Sequence, residues 1–330
     1  MSPLNEDLCF PQLFNSSCSK SIRPYFESML IYTVLSSISI VTVILNMLVI
    51  ISISHFKQLH TPTNLLLLSL AVSDCIVGFL FIFQIILING CWFLGDIMCV
   101  VYFVLDYIIT STSIGTMVLI SVDRYVAICH PLHYSTQVTK NRTDICICLC
   151  WMFCVVFQCL ILKNNLEQPG RYNTCVGQCV VNVNYASGVA DMIVFFICPV
   201  TIIVVLYMRV FVVAVSQARA MRSHITSVTL KCSVKITAKK SELKAAITLG
   251  VVVVVFLICV CPYYCVLLSG QDSKIDAESS AIIMCLFYIN SCLNPLIYAL
   301  FYPWFRKSIK LIVTLQILEA DSCDTNINMT

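Results

Sequence analysis

Residues 28–53 read SMLIYTVLSSISIVTVILNMLVIISI, twenty-six residues without one charged side chain. Crossing the hydrocarbon core of a bilayer takes about 20 predominantly apolar residues in a helix, so this run is long enough to span. Six similar runs follow, and the seven candidate spans cover 28–53, 64–88, 97–128, 145–163, 186–214, 244–269 and 279–301. Their connections are short except for 164–185 and 215–243, and the chain shows no repeat, low-complexity tract or soluble domain. The pattern predicts an all-α membrane protein: a polar tail over 1–27, a seven-transmembrane-helix bundle over 28–301, and a final segment over 302–330. From Tyr302 to about Leu315, aromatic and aliphatic residues alternate with Arg306, Lys307 and Lys310. That alternation suits a short amphipathic eighth helix lying in the membrane interface against lipid.

Composition agrees. The chain is 59% hydrophobic and 11% charged, with a mean hydropathy of +0.91, whereas a soluble domain carries about 25% charged residues. A net charge of +3 is too small to argue for nucleic acid. Most of the 21 cysteines lie inside apolar runs, among them Cys146, Cys148, Cys150, Cys154 and Cys159. In that setting cysteine reads as a small, polarisable packing residue. The first 27 residues are too polar for a cleavable signal peptide, so the first span is expected to direct insertion.

Lys and Arg set the orientation. With the N-terminus outside, thirteen of them fall on the cytoplasmic side and five outside, which places the C-terminus in the cytoplasm. The sequon Asn15-Ser16-Ser17 is then extracellular and open to glycosylation, while those at Asn141 and Asn328 are cytoplasmic and stay bare.

A carboxylate in a membrane helix costs roughly 2.5–3.5 kcal/mol even on the most forgiving scale, so Asp74, Asp106, Asp123 and Asp191 each need a reason. Asp123 opens Asp123-Arg124-Tyr125 at the cytoplasmic end of the third span. Glu242, at the start of the sixth, is within reach of Arg124 in principle, and an arginine shared by two acids is a natural two-state clasp. Asp74 is mid-membrane in the second span, at the depth of Ser113, Asn290 and Asn294. The four together either hold water or a small cation such as Na+, or form a structural hydrogen-bond knot. Asp106 lies seven residues past Cys99, about 10 Å below the outer end of the third span. No Lys or Arg shares its depth, so its partner must arrive from outside, and an ammonium ligand is the simplest. Tyr288 is placed to hydrogen-bond it, and Tyr107, Tyr263 and Tyr264 offer aromatic faces for cation–π contact. Asp191, in the outer half of the fifth span, again lacks a basic partner. It is either a protonated, hydrogen-bonded structural group or a second cation site. Since packed helices lie about 8–10 Å apart, two facing carboxylates suit two ammonium groups on a short alkyl chain.

These residues, taken in order, resemble the rhodopsin-like receptors. Asn46, Asp74, Asp123-Arg124-Tyr125, Trp151, Pro199, Pro262 and Asn294-Pro295-Leu296-Ile297-Tyr298 stand one set per span where that family carries its markers. Ile114, Phe256 and Pro199 match its central packing triad, and Tyr207 its fifth-span tyrosine. Within the family, NSCLNPLIYALFYPWFRK (290–307) and HFKQLHTPTN (55–64) are similar to the fingerprint of the trace amine-associated receptors. The resemblance implies a largely olfactory plasma-membrane receptor for volatile amines, coupled to a stimulatory G protein that raises cyclic AMP. It makes Asp106 the amine-binding aspartate, Tyr288 its partner, and Asp191 the extra aspartate of diamine-type members. It also implies a Cys99–Cys179 bridge and a second bridge from Cys175 to the tail, for which Cys18 suits better than Cys9.

The chain departs from the family at Val260 and Cys285, where tryptophans are usual. A monoamine receptor with an uncharged Asp191, or an orphan or decoy receptor that signals weakly, are the rival readings. A light receptor needs a seventh-span Lys, and 279–301 has none. No internal repeat suggests a transporter, no charge ring suggests a channel, and no span holds a His for an intramembrane enzyme. No cofactor is expected.

Overall fold

A computed structural model of the chain describes residues 8–20, 24–88, 90–225, 250–266, 277–319 and 322–324. Every predicted span is helical over its described part, save that the fourth ends at Ile161 and turns at Leu162: α1 (Tyr25–His55), α2 (Pro62–Ile88), α3 (Gly95–Cys129), α4 (Lys140–Ile161), α6 (Gly250–Val266) and α7 (Ala277–Phe301). The fifth span, α5, is composite: Tyr185–Met192, a π-helical turn at Ile193–Ile197, then Cys198–Ile225. Residues 244–249 and 267–269 of the predicted sixth span lie outside the described residues. The amphipathic segment folds as α8 (Pro303–Val313) and leaves the end of α7 at 99°. Pro303 opens it at a position where no backbone N–H is needed.

Burial is inverted relative to a water-soluble bundle. Outward faces carry exposed large apolar side chains, for example Leu149 and Met152 at 63% and Phe211 at 64%. An apolar belt this continuous belongs against hydrocarbon. The interior holds the polar groups: Asn46, Asp74, Ser111, Thr112, Ser113, Asp123, Arg124, Gln158, Asn290, Ser291 and Asn294 are all buried. They sit among a packed core that includes Ile114, Met117, Phe195, Phe256 and Val260. The cysteine reading holds for Cys154, which is buried, but Cys146 and Cys148 are exposed on the outer face of α4 and pack no core.

The π turn in α5 has a local cause. Pro199 has no N–H for the carbonyl of Phe195 and its ring crowds that position. The backbone answers with a wider turn, in which Cys198 N–H donates to the Ile193 carbonyl.

Three disulfides tie the tail and loops over one end of the bundle: Cys9–Cys91, Cys18–Cys175 and Cys99–Cys179. Main-chain bonds reinforce them. Cys18 N–H donates to Val176 O at 3.0 Å, Val176 N–H to Ser16 O at 2.7 Å, and Trp92 N–H to Gly177 O at 2.7 Å. Gly177 takes a left-handed φ of 99° in this crossing, where a side chain would be strained.

Candidate functional site

Below that cap, α3, α4, α5, α6 and α7 enclose a cavity of about 430 Å³. Asp106 and Asp191 both line it, as do Tyr107, Tyr263, Tyr264 and Tyr288. Among the described residues, no Lys, Arg or His lines it.

Asp106 is half-buried. Tyr288 Oη–H donates to its Oδ1 at 3.0 Å. Tyr288 is in turn held edge-on against Phe81 and Phe287, with centroids 5.0 and 5.6 Å away. Across the cavity Tyr264 stacks on Phe196 of α5, 4.2 Å apart with the planes 7° from parallel. Tyr263 packs against Phe287 at 5.0 Å. Aromatic walls with a carboxylate at one side suit a cation: the rings present negative faces and the carboxylate the counter-charge.

Asp191 is held differently. Gln158 of α4 donates through Nε2 to Asp191 Oδ1 at 2.7 Å and to Ser111 Oγ of α3 at 2.6 Å. Neither Gln158 nor Ser111 was singled out by sequence reasoning. The signal was present in Gln158, a lone amide inside an apolar span, which deserves the same question as an intramembrane acid.

Two further polar clusters follow the axis of the bundle. Asp74 accepts from Ser113 at 3.1 Å, Ser291 at 2.8 Å and Asn294 at 2.8 Å. Ser113 and Asn294 were expected. Asn290 was expected too, but it does not bond Asp74; Ser291 takes its place, because one residue along a helix turns a side chain by about 100°. Asn290 instead lines a void of about 20 Å³ with Ser113, Phe256, Val260 and Tyr288. The Oδ1 atoms of Asn290 and Asn294 are buried without a hydrogen-bond partner. The orphaned Asn294 oxygen, on the amide that bonds the Asp74 carboxylate, and the Asn290 oxygen, beside the void that Ser113 also lines, suit water or a small hard cation such as Na+, which takes oxygen ligands.

At the far end of α3, Arg124 Nε donates to Asp123 Oδ2 at 2.9 Å, and its Nη2 also reaches Asp123 and Thr63. Thr63 Oγ1 donates to Asp123 Oδ2 at 2.9 Å, and Tyr134 Oη to Asp123 Oδ1 at 2.8 Å. Burial and then the Asp123 carboxylate push the Tyr134 phenol above its ordinary value, so it stays a donor at neutral pH. Thr63 and Tyr134 are additions to the expected clasp. Glu242 lies outside the described residues. Tyr125 packs edge-on to His130 at 5.5 Å. The hydroxyls of Tyr207, Tyr298 and Tyr302 are buried without a hydrogen-bond partner. Pro295 sits inside α7, just before the Tyr298 that reaches this end.

Of the expected disulfides, Cys99–Cys179 and Cys18–Cys175 are formed. Cys9–Cys91 was not anticipated. Asn15 is exposed in a turn of the tail. No group of three or more His, Cys, Asp or Glu among the described residues is placed to hold a metal.

The family described as 7 transmembrane receptor (rhodopsin family) matches residues 45–298. Trace amine-associated receptor 13c of Danio rerio is 38% identical, over 97% of this chain and 95% of its own length. Trace amine-associated receptor 9 of Rattus norvegicus is 37% identical, over 97% of each chain. Trace amine-associated receptor 4 of Mus musculus is 36% identical, over 95% of this chain and 93% of its own.

Proposed function

The chain belongs to the trace amine-associated branch of the rhodopsin-family seven-helix receptors, and we propose that it is activated by small organic amines, diamines above all, and signals through a stimulatory G protein to raise cyclic AMP. One observation carries the ligand reading: a cavity of about 430 Å³ presents two carboxylates, Asp106 and Asp191, and no basic side chain among the described residues. Charge inside a membrane protein is kept where it has a partner, and here the partner is the ligand.

In this reading the N-terminus and the disulfide cap are extracellular, the glycan sits on Asn15, and the C-terminus is cytoplasmic at the plasma membrane. One ammonium pairs with Asp106, steadied by Tyr288, and the aromatic faces of Tyr107, Tyr263 and Tyr264 surround the alkyl chain and cation. The second ammonium pairs with Asp191. A ligand bridging α3 and α5 favours the arrangement in which α5 and α6 move outward. Its leverage equals its differential affinity for the two states. Arg124 then leaves Asp123 and, with Tyr125, Tyr207 and the Asn294-Pro295-Tyr298 segment, forms the surface that meets the G protein. Asp74 with Ser113, Asn290 and Asn294 holds Na+ or water in the resting state.

The hydrogen bond from Gln158 to Asp191 favours one rival: a monoamine receptor in which Asp191 is a satisfied structural group. A cyclic-AMP titration of a straight-chain diamine against its one-amine analogue, on the unsubstituted receptor and on Asp191→Asn, separates them. The diamine reading expects a large potency advantage that Asp191→Asn erases. Equal potency with no effect of the substitution establishes the monoamine reading instead.

A further inference from the structure

We propose that Gln158 is a positioning residue that fixes the span between Asp106 and Asp191, and so selects the chain length of the diamine; this rests on the two-carboxylate reading above. Gln158 is 1% exposed, yet it lines the cavity together with Ser111 and Asp191. Its one amide nitrogen bridges two helices, at 2.6 Å to Ser111 of α3 and 2.7 Å to Asp191 of α5. Ser111 is five residues beyond Asp106 on the same helix, about 7.5 Å along the axis at 1.5 Å per residue. The two carboxylates are therefore joined through α3, Ser111 and Gln158 as well as across the open cavity.

The fifth helix is where such a tie is needed. Asp191 sits two residues ahead of the π turn Ile193–Ile197, a departure from the α register that gives the segment before it a phase and tilt of its own. The bond to Oδ1 holds the Asp191 side chain and leaves the rest of the carboxylate for a ligand.

The other end of the Gln158 amide supplies a chemical reason for length selection. Its Oε1 is buried with no hydrogen-bond partner, and a buried acceptor left unpaired is costly. An ammonium carries three donors. One placed at Asp191 can give one hydrogen to the carboxylate and another to Oε1, satisfying both. A diamine whose second nitrogen falls short of this point, or overshoots it, loses the pair. A charge-assisted hydrogen bond is worth on the order of a tenfold change in affinity, so each methylene of mismatch carries a penalty of that size.

The test uses the full-length receptor in cells and a series of straight-chain α,ω-diamines of increasing length, with the matching n-alkylamines beside them. Cyclic-AMP potency is read on the unsubstituted receptor, Gln158→Leu and Ser111→Ala, with surface expression monitored by an external epitope. The unsubstituted receptor is expected to show a sharp optimum, with neighbouring lengths about tenfold weaker. Both variants are expected to flatten the profile, so that the optimal diamine loses about tenfold against its neighbours. A merely structural role lowers every potency together and leaves the shape intact, so an unflattened profile in variants that reach the surface overturns the inference. If Gln158→Leu fails to reach the surface, Ser111→Ala cuts the same bridge from its other end and decides alone. Absence of any diamine preference in the unsubstituted receptor overturns both this inference and the two-carboxylate reading. A sharp optimum that both variants keep overturns only this one.

Discussion

Replacing Asp106 with Asn changes the charge of the cavity while almost preserving its shape. The Asn side chain keeps an oxygen in place of Oδ1, so the 3.0 Å hydrogen bond from Tyr288 and the edge-to-face packing of that tyrosine on Phe81 and Phe287 both survive. What is lost is the attraction between a carboxylate and an ammonium in contact. Two unit charges 4 Å apart, at an effective dielectric of about 20, interact by about 4 kcal/mol. That dielectric suits Asp106, which is half-buried in a cavity open to solvent. At 1.4 kcal/mol per factor of ten, potency should fall about a thousandfold. Asp106→Glu keeps the charge on a longer arm and should lose less than Asn. The assay is a cyclic-AMP concentration–response curve normalised to surface receptor, with a monoamine and a diamine as ligands. A loss under tenfold for both ligands, in Asp106→Asn at normal surface level, refutes Asp106 as the counter-ion.

Other consequences can be checked in the same cells. Tyr134→Phe removes the 2.8 Å bond that holds Asp123 Oδ1; with about 1.5–3 kcal/mol at stake for a bond to a charged group, ligand-independent cyclic AMP should rise about tenfold or more, and an unchanged basal level rules out the clasp. Cys91→Ser breaks the bridge to Cys9 and should lower stability by about 2–4 kcal/mol, read as a lower Tm in detergent and one newly maleimide-reactive thiol on the tail. Val260→Trp exceeds the void of about 20 Å³ beside it; such overpacking costs about 1–3 kcal/mol and should push Phe287 into the ligand cavity, so the longest ligands lose potency first. Asn15→Gln should raise electrophoretic mobility by the loss of one glycan, whereas identical mobility places the tail away from the glycosylation machinery or leaves it unmodified.

The spans were legible because hydrocarbon imposes a hard rule: twenty predominantly apolar residues have few other uses, and seven such runs in a row have fewer. Asp106, Asp191 and the tyrosines were legible for the converse reason, since a charge inside such a run needs explaining. Depth along a helix can be counted from sequence, but the direction a side chain faces cannot. Asn290 and Ser291 share a depth, and only the rotation of α7 decided that Ser291 meets Asp74. Neutral partners were the hardest to see. Gln158, Thr63 and Tyr134 carry no charge, and even Thr63, inside the 55–64 stretch, is not marked there as the partner of an acid, yet each completes the hydrogen bonding of one. Connectivity among many cysteines is beyond any spacing argument, and so Cys9–Cys91 emerged from the fold alone.

The π turn at Ile193–Ile197 adds one residue to its turn of α5 without adding a turn. Each residue of an α helix advances about 100°, so that surplus residue sets the azimuth of everything N-terminal to it, Asp191 included. Five residues in a π turn sweep nearly the same angle as four in an α turn, so losing one would leave Asp191 facing Gln158; restoring the α hydrogen bond with the residue count kept, as Pro199→Ala allows, would instead swing Asp191 by about a quarter-turn away from Gln158. The second ammonium site thus depends on Pro199, a residue that does not line the cavity. A lineage of such receptors could gain or lose two-headed ligands by a substitution outside the pocket, an event that tables of pocket residues would never register.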